Sequence, residues 1–229
     1  MRRTQGFTLV EIAIVLVIIG LLLGGILKGQ EMITQAKIKN VIADFSGISA
    51  AYHGYQDRYR SIPGDDPTAN RWALGRVGDG NGVVSGTYNN ACPPAATPPA
   101  APAAGTPESC LFWNDLRLAG FVAGNGSQQP FNAVTGLLGV QTGDGNSPPG
   151  PALAPAGGGG FVTLVVCSAN LPDKIAIAAD TQMDDGDSRS GTVRGQIHDA
   201  GPNPNIKAAT DANSYAETGT NVYTICRAF

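Results

Sequence analysis

The chain has 229 residues with 15 basic and 18 acidic side chains, a formal net charge of −3. That length admits one domain of ordinary size plus an anchoring segment, and the charge argues against a surface for nucleic acid or any other polyanion. Without residues 1–6 and their two arginines the balance is 13 − 18 = −5, and from residue 61 onward it is 8 − 14 = −6, which suits a mildly acidic exported domain. The 31 glycines and 16 prolines cluster in the second half and predict a loop-rich body with short strands.

Residues 1–6, MRRTQG, are short and basic. No basic residue follows Arg3 until Lys28, which predicts a cytoplasmic N-terminus by the positive-inside rule. Residues 7–27, FTLVEIAIVLVIIGLLLGGIL, contain one charge, Glu11. As a helix this run spans roughly 30 Å, about one bilayer core. A carboxylate inside it costs about 2.5–3.5 kcal/mol on insertion scales unless it is paired. A secretory signal would show a shorter apolar core and a small-x-small cleavage site after it. Here the run continues straight into a polar helical segment, which argues for its retention.

Gly6-Phe7-Thr8-Leu9-Val10-Glu11, followed by that apolar helix, resembles the type IV prepilin family, the pilins and the pseudopilins of type II secretion. The resemblance implies cleavage between Gly6 and Phe7 by a prepilin peptidase, then methylation of the new Phe7 amine. It implies that the helix waits in the inner membrane and is then drawn, through an assembly platform, into a filament of like subunits. Within the filament the Glu11 carboxylate would meet the N-terminal amine of a neighbour. In an apolar bundle either charge alone is costly, so the pair would set the register between subunits. The continuation of the helix is similar to minor-pilin and pseudopilin members. Gly20 and Gly24 form a G-x-x-x-G pair suited to close helix packing, although glycine is common in membrane helices for other reasons. No proline precedes Pro63, in contrast to many major pilins.

Residues 28–60 keep a helical period. Ile38, Val41, Ile42, Phe45, Ile48, Tyr52, Tyr55 and Tyr59 recur at steps of three and four and predict a stripe packed on the globular domain. The tyrosines read as core, not as ligand-binding groups. A continuous helix over 7–60 would be roughly 80 Å long and would have to protrude from a small domain. Pro63, Gly64 and Pro67 end it, and Asp65 and Asp66 are placed to cap the next turn, near residues 68–74. The run IPGDDP also resembles a subgroup of pilin-like proteins.

Residues 78–82, GDGNG, read as a tight turn. Asp79 and Asn81 also suit a calcium loop, though the terminal bidentate Glu of an EF-hand is missing. Asp184, Asp185 and Asp187 form a second calcium candidate within a run read first as a solvated turn, since three close carboxylates gain from a cation or from backbone N–H groups. The similar residues 143–146 make a weaker case.

Four cysteines, all beyond the apolar run, read as two disulfides in an exported domain. Cys92–Cys110 would staple the base of a Pro/Ala segment that should stand out as a surface loop. Cys167 and Cys226 lie in the two clearest strands, residues 161–167 and 221–229, and suggest neighbouring strands joined by a bridge. Four cysteines allow three pairings, so the connectivity stays open at this stage. Residues 111–120 predict a short amphipathic helix with Phe112, Leu116 and Ala119 on one side and Gly120 as its stop. Further strands are expected over 136–141 and 192–196.

These elements predict an α+β fold, a long protruding N-terminal helix packed on a small loop-rich antiparallel sheet, as in pilins. The organisation is a cleaved leader (1–6), the helix (7–60, with 7–27 as its transmembrane and assembly part) and a periplasmic or extracellular domain (61–229). An enzyme is not expected. His53 and His198 are the two histidines, and neither a G-x-S-x-G nor a Walker A motif is present. The alternative is a membrane-tethered periplasmic binding module that never polymerises. No cofactor is expected apart from the calcium candidates. The partners expected are other subunits, the prepilin peptidase and methyltransferase, the assembly platform and the lipid bilayer.

Overall fold

The computed structural model describes residues 8–94, 101–143, 159–198 and 214–229. In chain order these form helix α1 (Leu9–Tyr59), a 3-10 turn (Ala69–Arg71), helix α2 (Glu108–Leu118), strands β1 (Leu138–Thr142) and β2 (Leu164–Pro172), helix α3 (Asp173–Met183), and strands β3 (Val193–Ile197) and β4 (Val222–Ala228). The chain divides into two compact units, one ending at Lys37 and the other running from Ile38 to the C-terminus, with α1 contributing to both.

The second unit is an α+β body. Its strands pair antiparallel in the order β1-β2-β4-β3. Side chains alternate across a strand, and the central strands are buried on both faces. One face, with Leu138, Val140, Leu164, Val166, Tyr223 and Ile225, packs on the α1 stripe of Ile38, Val41, Phe45, Ile48, Tyr52 and Tyr55. Those six α1 residues are buried, and Ile42 and Tyr59 are half-buried against the same core. The other face gathers Tyr88, Leu137, Phe161, Val165, Cys167, Ala169 and Cys226. There the Tyr88 segment comes so near that a Cβ on Gly139 would lie 1.8 Å from the Tyr88 carbonyl oxygen.

Two expectations need correction. First, the strand expected over 161–167 runs instead from Leu164 to Pro172, with an irregularity between Ser168 and Leu171 where Asn170 takes a φ of 57°. Secondly, α2 is not amphipathic, because residues 64–92 wrap the side that should have met solvent. Glu108, Ser109, Asn114 and Asp115 are buried there together with Phe112, Trp113 and Leu116. Asp115 accepts the Gly64 N–H at 2.7 Å, and Asn114 donates to the Leu74 carbonyl at 3.1 Å. Residues 174–180, which carry no assignment from pattern, belong to α3. The turn expected near residues 68–74 is present as a 3-10 turn three residues long.

Cys92 is joined to Cys110 and Cys167 to Cys226. The second bridge ties directly opposed residues of β2 and β4. The Pro/Ala segment under the first bridge is only partly described, and residues 95–100 lie outside the described residues. Near its middle Pro102 is buried, its carbonyl accepting from Arg76 Nε at 2.9 Å.

Candidate functional site

Gly6 and Phe7, the expected cleavage pair, lie outside the described residues. From Thr8 the chain forms a helix N-terminus built by its own side chains. Thr8 Oγ1 accepts the Glu11 N–H at 3.3 Å, and a Glu11 carboxylate oxygen accepts the Thr8 N–H at 2.8 Å and the Thr8 hydroxyl at 2.7 Å. This is a reciprocal capping box, T-x-x-E, in which two orphan backbone donors of the first turn are satisfied. A negative side chain at this end also complements the helix dipole. Sequence reasoning placed Glu11 as a carboxylate in search of a partner and missed the local one, although the spacing to Thr8 signals it.

Beyond the cap, α1 is apolar on all sides. Leu9, Leu21 and Leu27 are 86%, 73% and 67% exposed, and their aliphatic neighbours are exposed as well. Gly20 and Gly24 sit in that surface, and a Cβ at either would meet nothing within 4 Å. An exposed all-round apolar helix is stable in water only if lipid or other helices cover it. By length and composition α1 can cross a membrane. The Lys28–Glu31 ion pair at 2.7 Å, both side chains exposed, marks the change to polar surface.

In the second unit, adjacent carboxylates of the turn after α1 do different work. Asp66 is fully buried and accepts from the Tyr55 hydroxyl at 2.6 Å, the Thr68 N–H at 2.8 Å and Arg71 Nη1 at 2.8 Å. Burial works against its charge, but these donors win and hold the carboxyl below the usual range. Arg71 in turn lies over the Tyr59 and Trp72 rings at 4.6 and 4.7 Å. Asp65 does not cap this turn. It accepts the N–H groups of Gly80, Asn81 and Gly82 at 2.6, 3.2 and 2.7 Å, and so shapes the GDGNG loop. Asp115 is pushed up to about 7, chiefly by burial, against the lowering effect of its bond from Gly64.

Carboxylate oxygens of Asp65, Asp79 and Glu108 lie within 4.8 Å of one another, the one group among the described residues that could hold a metal ion. Burial first, then the neighbouring Glu108, pushes Asp65 up. The calcium candidates of the sequence are thus brought together only in part. Asp79 joins this group, whereas Asn81 serves it as a donor, from its side-chain amide to Asp79 at 2.8 Å and from its N–H to Asp65 at 3.2 Å. Asp184, Asp185 and Asp187 form no such group. Asp184 accepts the Val193 N–H at 3.0 Å, Asp185 the Asp187 N–H at 2.9 Å and Asp187 the Arg189 N–H at 3.0 Å. Asp65 and Glu108 escaped sequence reasoning because their contacts are long-range. Of the weaker candidate at residues 143–146, only Gly143 is described.

All four cysteines are in disulfides, so none offers a thiolate. His198 is buried, its Nε2 accepting the Asn170 N–H at 3.1 Å, a structural role. His53 lines an open cleft with Gly54, Gln56, Asp57 and Arg60.

A capping-box helix start, a single acid near the head of an apolar run and a basic stretch before it define a type IV prepilin-like signal. Residues 1–27 match the family model described as the prokaryotic N-terminal methylation motif, and the chain carries that signal. No curated protein and no solved structure matches the chain.

Proposed function

We propose that this protein is a filament subunit of the pilin or pseudopilin type, cut between Gly6 and Phe7, methylated at Phe7 and inserted in the inner membrane by residues 7–27. The observation that carries the reading is the conjunction of the methylation-motif match over residues 1–27 with a helix whose apolar surface is left wholly exposed. Such a surface calls first for lipid and then for neighbouring helices. The basic leader orients the N-terminus to the cytoplasm and the domain to the periplasm. Assembly is non-covalent, with apolar burial supplying the affinity and the Glu11–amine pair the register, since Glu11 can exchange the Thr8 donors for the amine of a neighbouring subunit. The prepilin peptidase and the assembly platform are the processing partners. Filaments of this type serve as surface pili or as periplasmic secretion pseudopili.

Intact-mass analysis of the protein from membranes tests the processing step. A chain beginning at methylated Phe7 supports it, and retention of Met1 or Thr4 refutes it. Cross-linking through a cysteine introduced at Leu16 then separates a polymer from a tethered binding module. Ladders of multimers support assembly, and monomers alone favour the module.

A further inference from the structure

Two Asn–Gly pairs occur in the chain, Asn81–Gly82 and Asn125–Gly126. Glycine leaves its own nitrogen sterically open to attack on a preceding asparagine side chain. The structure treats the two pairs in opposite ways. At the first, the Gly82 N–H is held by the Asp65 carboxylate at 2.7 Å. The Asn81 amide is fixed at both ends, donating to Asp79 at 2.8 Å and accepting the Val83 N–H at 2.7 Å. Both the nucleophile and the electrophile are therefore restrained.

At the second pair neither is. Asn125 is exposed, and among the described residues no hydrogen bond engages its side-chain amide or the Gly126 N–H. The loop bends on both sides of it, at Gly124 with φ 103° and Gly126 with φ 71°. What holds the loop is Arg117, whose guanidinium donates to the carbonyls of Ala123 at 3.3 Å and Gly126 at 2.9 Å, on either side of Asn125. Arg117 is half-buried, and among the described residues no carboxylate lies within ion-pair distance of it. A cation without a counter-charge favours an anion forming in the loop wrapped around it.

We propose that Asn125 is a site of spontaneous deamidation, and that the fold protects Asn81 from the same reaction. Base removes the Gly126 N–H proton, and the nitrogen attacks Asn125 Cγ and forms a C–N bond. The Cγ–Nδ2 bond breaks and ammonia leaves with the proton. Water then opens the cyclic imide at either carbonyl, giving aspartate or isoaspartate. The product places a carboxylate in the loop that Arg117 holds.

The test is peptide mapping by mass spectrometry of the full chain in detergent micelles, incubated at mildly alkaline pH, in parallel with the same chain unfolded in urea. In the folded protein Asn125 should convert about tenfold faster than Asn81 or more, the scale set by one hydrogen bond to a charged acceptor at Gly82. In urea the two rates should converge. Equal rates in the folded protein, or a faster Asn81, would overturn the proposal. So would a tenfold difference that persists in urea, because the cause would then be local sequence and not the fold. Asp65→Asn, which weakens the hold on Gly82, should accelerate Asn81 and leave Asn125 unchanged.

Discussion

Thr8 and Glu11 cap one another, the Glu11 carboxylate holding the Thr8 N–H at 2.8 Å while Thr8 Oγ1 holds the Glu11 N–H at 3.3 Å. The carboxylate that subunit pairing would use is therefore already solvated by its own chain. Glutamine at the same position keeps a capping acceptor but has no charge for an amine. Glu11→Gln should insert and be cleaved like the wild type yet enter filaments poorly. Glu11→Ala, lacking both functions, should do worse and should also loosen the first helical turn by about 1 kcal/mol. Filament yield by shear fractionation or cross-linking checks this, and normal assembly of Glu11→Gln would remove the charge from the account.

Asp115 makes stability depend on pH in an unusual direction. Folded, it keeps its proton up to about pH 7, whereas an unfolded aspartate loses it near 3.9. Its contribution to stability is thus complete below the lower value and fades as pH rises through the interval to about 7. The loss is at most roughly 4 kcal/mol. Asp115→Asn can still accept the Gly64 N–H but does not titrate. Its stability relative to wild type should rise by a few kcal/mol between pH 4 and pH 8, measured by urea unfolding at each pH. A difference that does not change with pH would show that Asp115 titrates in the folded protein as it does in the unfolded chain.

Calcium, if it stabilises the protein, should act through Asp65, Asp79 and Glu108, since their oxygens lie within 4.8 Å of one another. The expected result is a melting temperature raised by calcium and lowered by chelator, with the response lost in Asp79→Asn and kept in Asp185→Asn. A melting temperature indifferent to chelator rejects any such site.

The two disulfides should differ in worth. Their cysteines are 18 and 59 residues apart in sequence, and the loop-entropy model gives about 3 and about 4 kcal/mol. Replacing Cys167 and Cys226 by serine should therefore cost more than replacing Cys92 and Cys110. It also puts two hydroxyls into an apolar layer beside Val165 and Ala169. Denaturant unfolding of the two double variants checks the order.

Elements whose signal is local were legible in the sequence. The α1 stripe shows a helical period because a long helix buries one side on a sheet, and β2 and β4 show dense apolar runs because both their faces are covered. The prepilin-like signal is likewise a matter of spacing over a few residues. α3 was not legible. Its Ile175 and Ile177 alternate as in a strand, and the buried Asp180 beside them makes sense only with the Tyr215 hydroxyl 2.7 Å away. Asp65 and Glu108 were hidden for the same reason, since their partners lie 15 to 29 residues off. The buried outer side of α2 depends on a wrapping segment without periodicity of its own.

The position of β4 has a consequence for how the protein is made. The last strand of the chain does not join the sheet at an edge but lies between β2 and β3. Until residues 222–228 have emerged, β2 and β3 have no strand between them and Cys167 has no partner. Without residues 222–228 the sheet would present two open strand edges, on β2 and β3, and Cys167 would be an unpaired thiol.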